Sequence, residues 1–171
     1  MKRWTVCVWI LAVMLLAAGC GASFEPSVTS VYIKKDGTLT QAIVESFEKA
    51  YYSENEFASM VEKEISAYNQ RRGEDVITLN SLEVEDDTMY LLLDYTDVDA
   101  YAEYNDTFCY VGTVGSALDE GFPFNMDFRD TSYAEQEITD VTAGRDRSIV
   151  ILRDEGTVQL EAPVKYVSNN V

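Results

Sequence analysis

Thirty acidic side chains dominate the chemistry open to this chain. They are densest at Glu83-Val84-Glu85-Asp86-Asp87 and again at Asp94, Asp97 and Asp99. Carboxylate oxygens are hard donors suited to Ca²⁺, and a pair of carboxyl groups can hydrolyse glycosides. Asp97-Val98-Asp99 lacks the glycine and the distal glutamate of an EF-hand loop, however. In a chain this acidic, such groupings arise by chance. Asp86-Asp87 reads as a hairpin tip. Asp97 and Asp99 read as first-turn residues of a helix, where negative charge suits the dipole. The spacing nominates no catalytic pair, so no catalytic, cofactor-binding or metal-binding residue is assigned.

Histidine is absent. That removes Ser-His-Asp and Cys-His nucleophilic machinery and nearly all ordinary zinc, copper and iron sites. Cys109 sits in the apolar, strand-like Thr107-Phe108-Cys109-Tyr110-Val111 and reads as a buried, inert thiol. Gly112-Thr113-Val114-Gly115 falls between a predicted strand and a predicted helix, where a phosphate loop sits. It lacks the lysine and further glycines of such a loop, and Asp119 and Glu120 follow closely, so a tight turn is expected. Exposed tyrosines serve protein or sugar interfaces. Tyr90, Tyr95, Tyr101, Tyr110, Tyr133 and Tyr166 read as half-buried, which leaves Tyr51, Tyr52 and Tyr104 as the candidates for exposure. Arg145, Asp146 and Arg147 read as local ion pairs in a polar loop.

The elements that position these residues follow from local pattern. Residues 28–35 and 38–47 flank Asp36-Gly37, a two-residue hairpin signal. The implied register pairs Ile33 with Thr40, Val31 with Ala42 and Thr29 with Val44 on the core face. Ser53 and Glu56 predict a helix start, Phe57, Val61, Ile65 and Tyr68 recur at helical spacing, and Arg71-Arg72-Gly73 predicts the end. Residues 76–85 and 88–95 predict a second hairpin, with a bulge near Asn80-Ser81 where apolar parity changes. Thr96 is expected to cap a short helix running to about Asn105. A strand at 108–113, a helix at 114–120 and a strand at 124–128 follow. Residues 132–147 are expected to loop outward. A third hairpin is expected from 149–153 and 157–161, and a last strand at 164–168. Strand pairs joined by hairpins imply an α+β class: an antiparallel sheet built from hairpins, with two or three helices packed on one face.

The N-terminus carries a different signal. Lys2 and Arg3 precede an apolar run over 4–16, and Ala17-Ala18-Gly19-Cys20 closes it. A basic start, an apolar centre and small residues at the cut make a signal peptide. The run is shorter than the roughly 20 residues of a membrane span. Leu15-Leu16-Ala17-Ala18-Gly19-Cys20 resembles the lipobox of bacterial lipoproteins, with Ala17 where that family prefers leucine and Leu16 one place earlier. The resemblance implies lipidation of Cys20, removal of residues 1–19, a tether at 20–27 and a single domain at 28–171. Two or more acyl chains anchor stably where one does not. The membrane partner would thus be reached through lipid on Cys20, at the extracytoplasmic face.

Removing 19 of 171 residues leaves 152, enough for one domain with its own core. Losing Lys2 and Arg3 takes the formal net charge from −17 to −19. Such a body repels nucleic acid, which is not expected as a partner, and it repels anionic lipid surfaces. The turn over 112–121, Ile149-Val150-Ile151-Leu152 and Pro163-Val164-Lys165-Tyr166-Val167-Ser168 resemble small uncharacterised lipoproteins of Gram-positive bacteria. That resemblance carries over no activity and no site residues. The expectation is a membrane-anchored extracytoplasmic lipoprotein whose non-catalytic domain binds or scaffolds an envelope protein or glycan. The alternative is a carboxylate-dependent envelope enzyme that hydrolyses glycan or needs Ca²⁺.

Overall fold

The computed structural model describes residues 24–47, 53–138, 140–153 and 156–169. The signal segment, Cys20, Tyr51 and Tyr52 lie outside the described residues. In the described part of the expected tether, Phe24 stacks on Tyr32 with ring centroids 5.2 Å apart.

The opening hairpin joins β1 (Ser30–Ile33) to β2 (Leu39–Ser46). Its register differs from the expected one: Ile33 faces Leu39, Val31 faces Gln41 and Ser30 faces Ala42. The turn is the reason. Gly37 takes φ +89° while Asp36 does not enter the left-handed region. The Gly37 N–H donates to Lys34 O at 3.1 Å, and the Lys34 N–H donates to Thr38 O at 2.9 Å. The loop therefore holds three residues, a type I turn closed by a left-handed glycine. The Asp36 carboxylate fastens it by accepting the Thr38 N–H at 3.0 Å. A one-residue slip exchanges the faces of a strand. Leu39, Gln41 and Ile43 thus join Val31 and Ile33 on the core face, and Thr40, Ala42 and Val44 go to the other.

α1 (Glu54–Arg72) begins and ends at its sequence signals. Ser53 Oγ accepts the Glu56 N–H, Arg71 and Arg72 lie in the last turn, and Gly73 at φ +77° closes it with its N–H on Asn69 O. Val61, Ile65 and Tyr68 are buried along one stripe, and Phe57 packs against the same core. β3 (Ile77–Glu85) and β4 (Thr88–Tyr95) form the second hairpin. Asp86 and Asp87 both take positive φ, +46° and +59°, the conformation of a type I′ turn. The register shifts between Leu79 and Ser81. That bulge keeps Ile77, Leu79, Leu82 and Val84 on the core face despite their change of parity.

α2 (Val98–Tyr104) is capped by Asp97 rather than Thr96. Asp97 Oδ1 accepts the Ala100 N–H at 2.8 Å, and the Thr96 hydroxyl bonds the other carboxylate oxygen at 3.0 Å. An ionised acceptor at this position satisfies an orphan amide and complements the dipole. β5 (Cys109–Thr113) and α3 (Val114–Asp119) follow.

The last third departs from expectation in three places. The strand expected at 124–128 is β6 (Phe128–Asp130), bonded on both sides. The stretch expected as a loop holds β7 (Tyr133–Ile138), paired with β6; Glu and Gln dominate it, so no apolar alternation marks it. The third hairpin does not form. β8 (Ser148–Leu152) pairs antiparallel with β5, β9 (Thr157–Leu160) pairs parallel with β1, and β10 (Tyr166–Ser168) pairs with β6. Pairing with β1 sets Val158 beside Val31 and Leu160 beside Ile33, which extends the core row of the sheet.

The result is an α+β fold. A five-stranded sheet runs β3-β4-β2-β1-β9, antiparallel except at β1–β9, beside a β10-β6-β7 sheet and a β5-β8 pair. α1 and α2 pack loosely on the core face of the large sheet, whereas α3 contacts β5 and β8. Leu39, Ile77, Leu93 and Tyr95 are the most deeply buried large side chains, each contributing about 1.5–3 kcal/mol through burial. No helix among the described residues is long and apolar enough to cross a membrane.

Two polar ties fix the helices. Asn69 of α1 takes the Val76 and Ile77 N–H groups on Oδ1, at 3.2 and 3.1 Å, and donates from Nδ2 to Ile77 O at 2.9 Å. Gln41, Tyr95 and Asn105 form a closed ring of side-chain hydrogen bonds between the sheet and the end of α2.

Candidate functional site

The sequence candidates disperse. Glu83, Glu85, Asp86 and Asp87 are exposed around the second hairpin. Asp94 accepts from Thr40 Oγ1 at 2.6 Å and Asn80 Nδ2 at 2.7 Å, and Asp97 is engaged as a helix cap. Among the described residues, no three carboxylate or thiol side chains converge where they could hold a metal ion. Asp130 is the one buried carboxylate among them, and its Oδ1 accepts the Ser132 N–H at 2.8 Å. Burial pushes the Cys109 thiol up to about 11, with Asp99 adding to the shift, which keeps the thiol protonated and unreactive at neutral pH.

The turn at Gly112–Gly115 is structural. The Val114 N–H donates to Arg147 O at 2.9 Å, the Gly115 N–H to Arg145 O at 2.8 Å and the Ser116 N–H to Thr113 Oγ1 at 3.0 Å. These amides are therefore closed to a phosphate. Tyr110 folds back over Gly112, so an added Cβ would lie 2.6 Å from the phenol oxygen and would push that ring aside. Arg145 pairs with Asp119 at 2.7 Å, and Arg147 stacks over the Tyr166 ring at 5.3 Å.

What the fold does bring together is the last two turns of α1 and the last turn of α2. Glu64, Tyr68, Arg71 and Arg72 recur at i, i+4, i+7 and i+8, which places them on one face of α1. With Glu103 and Tyr104 of α2 they line a cleft of about 270 Å³. Tyr68 and Tyr104 meet edge to face at 5.2 Å, and Tyr104 lies 6.1 Å from Tyr95. The Arg71 guanidinium sits 5.7 Å over the Tyr68 ring. Arg72 pairs with Glu103; both ends are partly solvated, so the pair adds little to stability.

The electrostatics of the cleft are mixed. Burial works against the charge of Arg72, yet the Glu103 carboxylate outweighs it and raises the guanidinium above its ordinary value. Burial raises the phenols of Tyr68 and Tyr104, with Glu103 adding at the first and Glu64 at the second. The Tyr68 hydroxyl is buried beside the Glu103 carboxylate, yet it makes no hydrogen bond of ordinary geometry among the described residues. Leaving such a group unsatisfied costs about 1–3 kcal/mol. Neither Arg71 nor Glu64 has an ion-pair partner among the described residues.

From the sequence, Tyr68 reads as core and Arg71-Arg72 as a helix-end signature, and both descriptions hold. The missed feature is their joint stripe with Glu64, legible from helical spacing alone. Tyr104 was a candidate for exposure and is half-buried at the rim. No family model, no curated protein and no solved structure matches the chain.

Proposed function

We propose that this chain is a lipid-anchored protein of the extracytoplasmic membrane face, and that its α+β domain binds a ligand at the envelope without catalysis. The lipobox-like segment ending at Cys20 supports the anchor. The single observation that carries the binding role is the Tyr68 hydroxyl, buried at the cleft beside Glu103 with no hydrogen bond of ordinary geometry among the described residues. Native structures rarely leave a buried polar group without a good hydrogen bond, and a functional role is one of the reasons such a group is kept.

Hydrolysis by paired carboxyls calls for two of them about 5–9.5 Å apart across a groove. The cleft instead engages one of its two carboxylates, Glu103, in an ion pair with Arg72. That engagement favours binding over chemistry.

The anchor and the binding role are tested separately. Mass spectrometry of the membrane-extracted protein should find residue 20 at the N-terminus and carrying acyl chains, and Cys20→Ser should move the protein out of the detergent phase. Intact residues 1–19 on the mature protein would overturn the anchor. A thermal-shift screen against envelope glycans, peptides, amino acids and Ca²⁺ tests binding, because a ligand of the native state raises the midpoint. Turnover of any of these compounds, lost on replacing a carboxylate, would replace the binding role with an enzymatic one.

A further inference from the structure

The cleft between the last turns of α1 and α2 offers more than a place to bind, and its side chains specify a ligand class. We propose, resting on the binding role above, that it takes a free α-amino acid in its zwitterionic form.

Four observations carry this. The first is charge pairing. Of the two arginines and two glutamates in the cleft, Arg72 and Glu103 satisfy each other. That leaves Arg71 and Glu64, one cation and one anion, without ion-pair partners among the described residues. They stand seven residues apart on α1, about 10.5 Å along the axis, and the Arg71 side chain lies back over Tyr68 toward Glu64, which shortens the gap. A ligand carrying both charges bridges them; a ligand carrying one leaves the other unanswered.

The second is the hydroxyl. Tyr68 lies between Glu64 and Arg71 on the same stripe, and its Oη, buried beside Glu103, makes no hydrogen bond of ordinary geometry among the described residues. A phenol beside a guanidinium makes a donor pair for a carboxylate. Arg71 is already held over the Tyr68 ring at 5.7 Å, so little ordering is left to do on binding.

The third is the field of the body. A formal charge of −17 over the whole chain opposes anionic ligands, attracts cationic ones and leaves a ligand that is neutral overall unopposed. A zwitterion brings no net charge, so it escapes this repulsion while both of its ends are recognised.

The fourth is size and surface. The cleft is about 270 Å³, below the range of drug-sized pockets and suited to a single residue rather than a peptide. The half-buried Tyr104 ring, steadied by Tyr68 at 5.2 Å, offers an apolar wall to the ligand's side chain.

Calorimetric titration of the full chain in detergent with L-leucine, L-leucinamide and N-acetyl-L-leucine tests the assignment. Leucine should bind, and each derivative, lacking one charge, should bind at least about tenfold more weakly, the value of a charge-assisted hydrogen bond. Arg71→Gln should abolish the preference over leucinamide, and Glu64→Gln the preference over N-acetyl-leucine. Both residues are exposed, so folding should be unaffected. Tyr68→Phe should weaken leucine binding without lowering the thermal midpoint. Equal affinity for all three compounds, wild-type binding by Arg71→Gln and Glu64→Gln, or no heat with any of them would overturn the proposal. A chain that ignores leucine yet is stabilised by another ligand would sink this assignment and leave the binding role standing. A chain that binds leucine while residue 20 is unmodified would leave this assignment standing and remove the anchor.

Discussion

The hydroxyl of Tyr95 donates to Oε1 of Gln41 at 2.6 Å inside the layer between sheet and helices. Gln41 Nε2 donates to Asn105 Oδ1 at 3.0 Å, and Asn105 Nδ2 returns to Tyr95 Oη at 3.3 Å. The ring joins β2, β4 and the residue that ends α2. It also explains how Gln41 sits on the core face of a central strand: every one of its side-chain polar atoms is answered. Tyr95→Phe removes one member and leaves the other two short of a partner. We expect a loss of about 1–3 kcal/mol and a fall of several degrees in the thermal midpoint. The double variant Gln41→Leu/Tyr95→Phe should be less destabilised than the sum of the single changes, measured by urea unfolding.

Asn69 makes the corresponding tie at the other helix, holding both main-chain groups of Ile77. Asn69→Ala strands the Ile77 N–H and C=O at a position 2% exposed and should cost about 2–4 kcal/mol, two orphaned groups at the usual penalty. Asn69→Asp keeps the acceptor but replaces the donor facing Ile77 O with a carboxylate oxygen, so it should recover little of the loss. Hydrogen exchange of the Ile77 amide reads the tie directly, with protection falling in both variants.

Cys109 and Tyr95 make a prediction about alkaline pH. Burial raises both groups above their ordinary values, the thiol from 9.0 to about 11. The folded state holds these protons after the unfolded state has released them. The thiol's contribution is therefore complete below pH 9 and declines from about pH 9 to 11, by roughly 2–3 kcal/mol. Stability measured by urea unfolding should fall over that window, and Cys109→Ala should make the decline shallower. Alkylation of the native protein at neutral pH should leave Cys109 unmodified until denaturant is added.

Two turns predict opposite signs. Gly73 holds φ +77°, and an added Cβ would meet nothing within 4 Å. Gly73→Ala therefore costs backbone strain alone, about 1–2 kcal/mol. Asp86 and Asp87 hold left-handed geometry without a glycine. Changing the pair to Asn-Gly should stabilise by a few tenths to about 1 kcal/mol, since that dipeptide suits a type I′ turn. Chemical denaturation of both variants checks the signs.

The elements legible in the sequence are those whose information is local. Ser53 and Gly73 bound α1 because caps act within a turn. The Leu79/Ser81 bulge shows as a parity change, and Asp86-Asp87 as a turn between two strands. The first hairpin shows how small the margin is: Asp36-Gly37 fits a two-residue or a three-residue loop, and the Asp36 to Thr38 bond selects the longer, exchanging the faces of β2. β8 and β9 look like hairpin partners because their neighbours in sequence are apolar. Their actual partners are chosen by which sheet edges remain open, and that information is not local. The Asn69 and Gln41 ties were invisible for the same reason. At the cleft, all the side chains on α1 could be placed on one face from spacing, whereas the arrival of Glu103 and Tyr104 depends on how α2 is docked by the Tyr95 ring.

The parallel pairing of β9 with β1 bears on the order of events during folding. Lys35 donates its N–H to the Glu161 carboxylate at 2.7 Å across 126 residues of sequence. β1 thus waits, with an open edge, for a strand more than a hundred residues further along the chain. Closing so large a loop slows folding, and an unpaired edge in the meantime invites association with other incompletely folded chains. A chaperone on the extracytoplasmic side that shields the Ser30–Ile33 edge until Thr157–Leu160 has docked would therefore raise the yield of folded protein.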